Sequence, residues 1–283
     1  MTKILLSCAL TLVLFSCSTA PKQESEKAAA PTSPEPKAKS DGKVEMKPVV
    51  GETKAEPEEV KPAKYQALDA AIKSGNEDRI RNTSVEILQT NPKDVKALNT
   101  LAMLQFKKGN YQAAEVILDK VLTIDNQSSA AYANLGLINL VRNEKAEAIA
   151  FFKKSLEYDN KNYAAGANLG SIYVKEKDYA KAIVALDNVV DDTEADEGSL
   201  TNYAIALTAT GKASEAAGIY DRILKKNPSS KSAMLNLAVV YIEKLNKFED
   251  GLDLVNRLKF VGADFESRQV IKDLENKAKA GLK

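Results

Sequence analysis

The sequence predicts an all-α fold, an α-solenoid of about six helix-turn-helix repeats with a capping helix after them and a disordered linker before them. Three observations predict it. A large residue followed by a small one recurs every thirty-four residues, at Leu101-Ala102, Leu135-Gly136, Leu169-Gly170, Tyr203-Ala204 and Leu237-Ala238. A second pair of columns holds Ala114, Ala148, Ala182 and Ala216, each four residues before Leu118, Phe152, Leu186 and Tyr220. Gly75, Gly109 and Gly211, with Asn143 in the third row, fall where a left-handed residue closes the turn between two helices. A period of this length marks a stacked array, because one hairpin cannot bury its own apolar face and needs a neighbour to cover it.

The rows follow in order. The first, 61–94, keeps Gly75 and Pro92 but has Ile80 and Ser84 where a small and an aromatic residue are expected, as suits a terminal repeat. The middle rows repeat closely, with Asn126 and Asn160 where the outer rows carry Pro92 and Pro228. Lys177 stands in the turn column in place of Gly or Asn. The sixth row keeps Leu237, Ala238 and Tyr241, then needs one inserted residue near Lys244–Asn246 to bring Phe248, Gly251 and Val255 into phase. After Gly262, Phe265, Val270, Ile271 and Leu274 lie at helical spacing and predict a polar-backed capping helix within 263–283.

These columns resemble the tetratricopeptide repeat over about two hundred residues. The resemblance implies a right-handed solenoid over 63–262 whose first helices line a concave groove for a protein or peptide partner. In that groove the resemblance places Asn134, Asn168, Asn202 and Asn236, thirty-four residues apart, with Phe106, Leu137 and Val174 among the apolar residues around them. An amide offers an acceptor and two donors, which suits the backbone of an extended peptide. The same column also has a structural reading, in which the amides bond within the groove. Chaperone-binding relatives clamp a terminal carboxylate with Lys, Asn and Arg, whereas Ala133, Ala167 and Thr201 stand beside the Asn column here and no Arg joins it. An apolar or amphipathic peptide fits this groove better than a C-terminal carboxylate.

The N-terminal part is a different kind of chain. Residues 1–17, MTKILLSCALTLVLFSC, carry one cation at Lys3, an apolar run from Ile4 to Phe15 and a small residue before Cys17, which is the anatomy of a secretory signal. Leu14-Phe15-Ser16-Cys17 resembles the bacterial lipobox, with Phe15 bulkier than usual. The resemblance implies a signal peptide over 1–16, removed ahead of a lipidated Cys17. Ser18 rather than Asp after that cysteine resembles lipoproteins passed on to the outer membrane of enteric-type bacteria. Two or more acyl chains, at about 0.8 kcal/mol per buried methylene, hold a protein at a membrane essentially permanently. Seven of the nine prolines lie in the first 62 residues, and the stretch 17–62 is too poor in large apolar residues to offset its ordering entropy. As a flexible coil it spans about 35–40 Å.

Composition closes off much chemistry. Lys plus Arg (40) and Asp plus Glu (39) nearly cancel, so no basic field draws nucleic acid. With no His and only Cys8 and Cys17, neither a Ser-His-Asp triad, a Cys-His pair nor a His/Cys metal site can be assembled. The acidic stretch DDTEADE at 191–197 lacks EF-hand spacing, since counting from Asp192 puts Gly198 seventh and Tyr203 twelfth. It reads as a turn that caps the following helix. The expectation is a non-enzymatic, cofactor-free adaptor, lipid-anchored in the bacterial envelope. It is similar to the tetratricopeptide lipoproteins of type IV pilus assembly or gliding motility, or else to accessory factors of cell-wall or outer-membrane biogenesis.

Overall fold

The computed structural model describes residues 63–191, 195–262 and 267–283, so the expected signal peptide (1–16), Cys17, the linker (17–62) and Phe265 lie outside the described residues. Among the described residues the secondary structure is wholly helical. The helices are α1 (Ala63–Ser74), α2 (Glu77–Thr90), α3 (Val95–Lys107), α4 (Tyr111–Ile124), α5 (Ser129–Val141), α6 (Lys145–Tyr158), α7 (Tyr163–Lys175), α8 (Tyr179–Val190), α9 (Glu197–Ala209), α10 (Ala213–Lys226), α11 (Lys231–Val239), α12 (Phe248–Val261) and α13 (Arg268–Gly281). They divide after Ala195 into two compact units, α1–α8 and α9–α13.

In the first unit each odd-numbered helix pairs with the next even-numbered one, and consecutive first helices also touch, α3 with α5 and α5 with α7. The small column is what allows the hairpins to close. A Cβ on Gly136 of α5 would stand 2.6 Å from the Phe152 ring of α6, and one on Gly170 of α7 would stand 2.3 Å from Leu186 Cγ of α8. Phe152, Leu186 and Leu118 are fully buried on the second helices, as are Ala148, Ala182 and Ala114 four residues before them, and Ala102 of α3 is fully buried too. In the Gly136 and Gly170 hairpins the small residue of the step is therefore a gap into which a large residue of the second helix is set.

The turn column behaves as a set. Gly75, Gly109, Asn143, Lys177 and Gly211 all have positive φ, and so does Asn246, one residue beyond the thirty-four-residue beat. Lys177, at φ 60°, takes the left-handed conformation despite its side chain, at a steric cost of roughly 1–2 kcal/mol. The same backbone bond, five residues back, closes four of these turns: Asn110 N–H donates to Gln105 O (3.0 Å), Glu144 to Asn139 (2.9 Å), Asp178 to Tyr173 (2.9 Å) and Lys212 to Leu207 (2.8 Å).

A further thirty-four-residue column, passed over in the sequence reading, starts the first helices. Asp94, Ser128, Asn162, Asp196 and Ser230 are the N-caps of α3, α5, α7, α9 and α11. All but Ser128 accept a hydrogen bond from a first-turn N–H of their own helix, which satisfies a donor that the helix leaves free. Several also reach the preceding hairpin: Asn162 Nδ2 donates to Ser129 Oγ at 2.8 Å, and Ser230 Oγ donates to Glu197 Oε1 at 2.5 Å. The acidic stretch works as the expected cap, Asp196 accepting from Ser199 N–H at 2.9 Å and from its hydroxyl at 2.8 Å.

In the second unit α9 pairs with α10 and α11 with α12, α9 touches α11, and α11 touches α13. The extra residue of the sixth row lies within the helix rather than in the loop after it. It widens the end of α11 into a π-turn over Val240–Lys244. The helix α13 buries Ile271, Leu274 and Ala278, and Val270 is half-buried.

Candidate functional site

The asparagine column sits on the first helices, on α5 and α7 of the first unit and on α9 and α11 of the second. Its members are not equivalent. Asn134 has no exposed area, and its Nδ2 donates to Asn99 Oδ1 on α3 at 3.2 Å. Asn168 is half-buried and donates through Nδ2 to Ala164 O of its own helix at 2.7 Å. Asn202 is half-buried as well. Asn236 is 2 % exposed, and neither atom of its amide has a hydrogen-bond partner. The Oδ1 of Asn134 is also without one, as is the Ser232 Oγ one turn before Asn236 on α11.

The apolar residues expected to line the groove are withdrawn further than the sequence implied. Leu137 is 1 % exposed, and Phe106 and Val174 are buried. Direct contact between consecutive first helices accounts for this, since α5 is flanked by α3 and α7. In this conformation Leu137 belongs to the interior rather than to an open wall, and among the seven predicted contact residues Asn168 and Asn202 retain the surface. The sequence could not separate these cases, because all four asparagines occupy the same register position.

Polar capacity with no internal use stands out in such a setting, because an unmet buried amide costs roughly 1–3 kcal/mol. The hydroxyl of Tyr220, buried in α10, also lacks a partner, and burial pushes that phenol above its ordinary value. Arg142, after α5, makes a two-pronged contact with Glu115 of α4, at 3.1 and 2.8 Å. That pair borders a polar cleft of about 710 Å³ with Asn110 and Tyr111, and none of the column's asparagines lines it. Among the described residues no group of His, Cys, Asp and Glu could hold a metal ion, and no helix is long and apolar enough to cross a membrane.

Helical hairpins in register, joined by left-handed turns and covered by their neighbours, define a helical-repeat interaction scaffold. The chain belongs to the tetratricopeptide repeat family, whose profiles match residues 63–136, 144–198 and 203–264. No curated protein sequence matches it. Among solved structures it is similar to YrrB, described as a tetratricopeptide repeat protein with an unusual peptide-binding site, at 23% identity and a TM-score of 0.58, over 67% of this chain and 97% of that one. It is also similar to pilF of Pseudomonas aeruginosa, at 19% identity and a TM-score of 0.50, over 78% of this chain and 90% of that one. The C-terminal part of a repeat protein from Cytophaga hutchinsonii aligns at 14% identity and a TM-score of 0.50, over 70% of this chain and 78% of that one. At these identities the likeness is one of fold. That fold serves protein–protein interaction.

Proposed function

We propose that the protein is a non-enzymatic adaptor that binds extended or helical peptide segments of a protein partner along the first helices of each unit. The observation that carries this reading is the asparagine column, in which buried amide atoms of Asn134 and Asn236 keep hydrogen-bonding capacity that the chain does not use. The Asn134 Oδ1 and both amide atoms of Asn236 have no partner within the chain, while Asn168 and Asn202 stand half-exposed, where a partner can reach them. The partner's backbone supplies the complementary donors and acceptors, and its apolar side chains supply the area.

The sequence features outside the described residues support an anchored version of this adaptor. A lipid on Cys17 holds the chain at the periplasmic face of the bacterial outer membrane, and the 17–62 linker keeps the repeats at high local concentration near an envelope assembly. Pilus assembly and gliding motility are the machines whose tetratricopeptide lipoproteins the sequence resembles. A role in cell-wall or outer-membrane biogenesis is the second reading.

Affinity capture from native membranes tests the proposal, comparing the intact chain with an Asn168→Ala, Asn202→Ala double variant whose circular dichroism is unchanged. Loss of a prominent envelope partner from the variant supports the asparagine contact. An unchanged set of partners sinks it and moves recognition to another surface.

A further inference from the structure

The sixth hairpin departs from the others by one residue, and the hydrogen bonds show where. In four hairpins the turn closes from Asn110, Glu144, Asp178 and Lys212 to the carbonyls of Gln105, Asn139, Tyr173 and Leu207, five residues back. In the sixth, Tyr241 keeps the thirty-four-residue beat of those carbonyls, but the closing donor is the N–H of Lys247, at 2.8 Å and six residues on. The additional residue is therefore enclosed between Tyr241 and Lys247. There the chain widens into the Val240–Lys244 turn, with Leu245 N–H donating to Val240 O at 3.1 Å. Wide turns of this kind are rare and concentrate where a helix is asked to do something besides span.

Three neighbours engage this turn. Ile242 lies so close to α12 that a Cβ on Gly251 would stand 2.3 Å from its Cγ1. Gly251 occupies the column filled by Ala114, Ala148, Ala182 and Ala216 in the regular hairpins, so the loss of one methyl group there matches the gain of one residue in the turn. The Tyr241 hydroxyl reaches Asp221 Oδ2 of α10 at 3.4 Å. Glu243 accepts from Lys277 Nζ of α13 at 3.1 Å, and its side chain is 13 % exposed. At its register position the regular hairpins carry Lys107, Val141, Lys175 and Ala209, all exposed.

We infer that the extra residue is a stop device for the array: the π-turn seats α13 as a strap over the last hairpin, where a further repeat would otherwise begin. One added residue turns the helix by ~100°. It thereby aims Glu243 at α13 and Ile242 into the space that Gly251 leaves. The strap buries Ile271, Leu274 and Ala278 inward and keeps a polar back toward the side where a further hairpin would stack.

Deleting Leu245 from the full chain, which restores the thirty-four-residue spacing, tests this by amide hydrogen exchange. The expected result is exchange at least tenfold faster across Arg268–Gly281, with α9 and α10 as protected as before. Unchanged protection of α13 would overturn the inference. Gly251→Ala in the undeleted chain supplies a second reading should the deletion fail to fold. Its methyl group must displace Ile242 and is expected to raise α13 exchange while α9 and α10 hold, whereas an indifferent α13 again overturns the proposal. In a folded deletion chain, the same Gly251→Ala change is expected to have no further effect on α13, because Ala is the residue the regular spacing carries.

Discussion

Asp94 and Glu275 hold the two ends of the described chain in different ways. Asp94 caps α3 and also receives Lys64 Nζ at 2.9 Å and the Tyr65 hydroxyl at 2.8 Å, which fasten the degenerate first hairpin to the second. Its side chain is 1 % exposed. Glu275 receives Lys259 of α12 and Lys279 of its own helix, and its side chain is 17 % exposed. Both carboxylates take two side-chain donors, but the first is placed inside the packing and the second at its edge. Ion pairs of the second kind are weakened by solvent and salt, whereas a buried cap leaves unmet donors when it is lost.

The interior of a regular hairpin sets the scale for breaking either end. Phe152→Ala removes the ring set against Gly136 and is expected to cost about 3–5 kcal/mol, read from urea unfolding. In that background Gly136→Ala should become neutral or stabilising, because the 2.6 Å conflict with the ring is gone. If Gly136→Ala is equally harmful with and without the ring, the ring is not what excludes a Cβ there.

Asp94→Ala should come next, at about 1–2 kcal/mol from the lost cap, and it should carry a pH signature. Burial alone would raise the Asp94 carboxyl, but the hydrogen bonds from Lys64, Tyr65 and the Ala97 N–H outweigh it and hold the group below its ordinary value of 3.8. A carboxylate depressed in the folded state stabilises the fold above its unfolded value and loses that contribution as pH falls through the folded one. The urea midpoint of the parent chain is therefore expected to drop on acidification below about pH 4 more steeply than that of Asp94→Ala. Parallel pH profiles would show that Asp94 is not the group responsible.

The smallest effect belongs to Glu275→Gln. Hydrogen bonds from Lys259 and then Lys279 hold this carboxyl at about 2, so at neutral pH the charged pairs are fully formed, and they fade as pH falls from about 4.5 toward that value. The melting temperature of Glu275→Gln should differ from the parent's at low salt and converge with it at high salt. A difference that survives high salt would mean that packing, not charge, holds this end.

Much of this architecture was legible in the sequence because it is periodic. The Gly136, Gly170, Phe152 and Leu186 positions announce themselves by register, and the one-residue excess of the sixth row was located close to where the π-turn absorbs it. The clamp at Asp94 was not visible, although the column Asp94, Ser128, Asn162, Asp196 and Ser230 was available as an N-cap signal. A cap is recognisable locally, but its second task, receiving Lys64 and Tyr65 from thirty and twenty-nine residues earlier, depends on how the first hairpin packs.

The sequence by itself determined the hairpin, its turn and the number of times both recur, because each repeat must write the same small-against-large contact to be covered by the next. Only the tertiary structure decided which asparagines keep a surface. Asn134, Asn168, Asn202 and Asn236 share one position in the repeat, yet burial is set by the helices on either side, and those flanks differ from one repeat to another. The same reason explains Gly251: a glycine in an alanine column means little until Ile242, nine residues earlier, is found pressing into the space its missing methyl leaves.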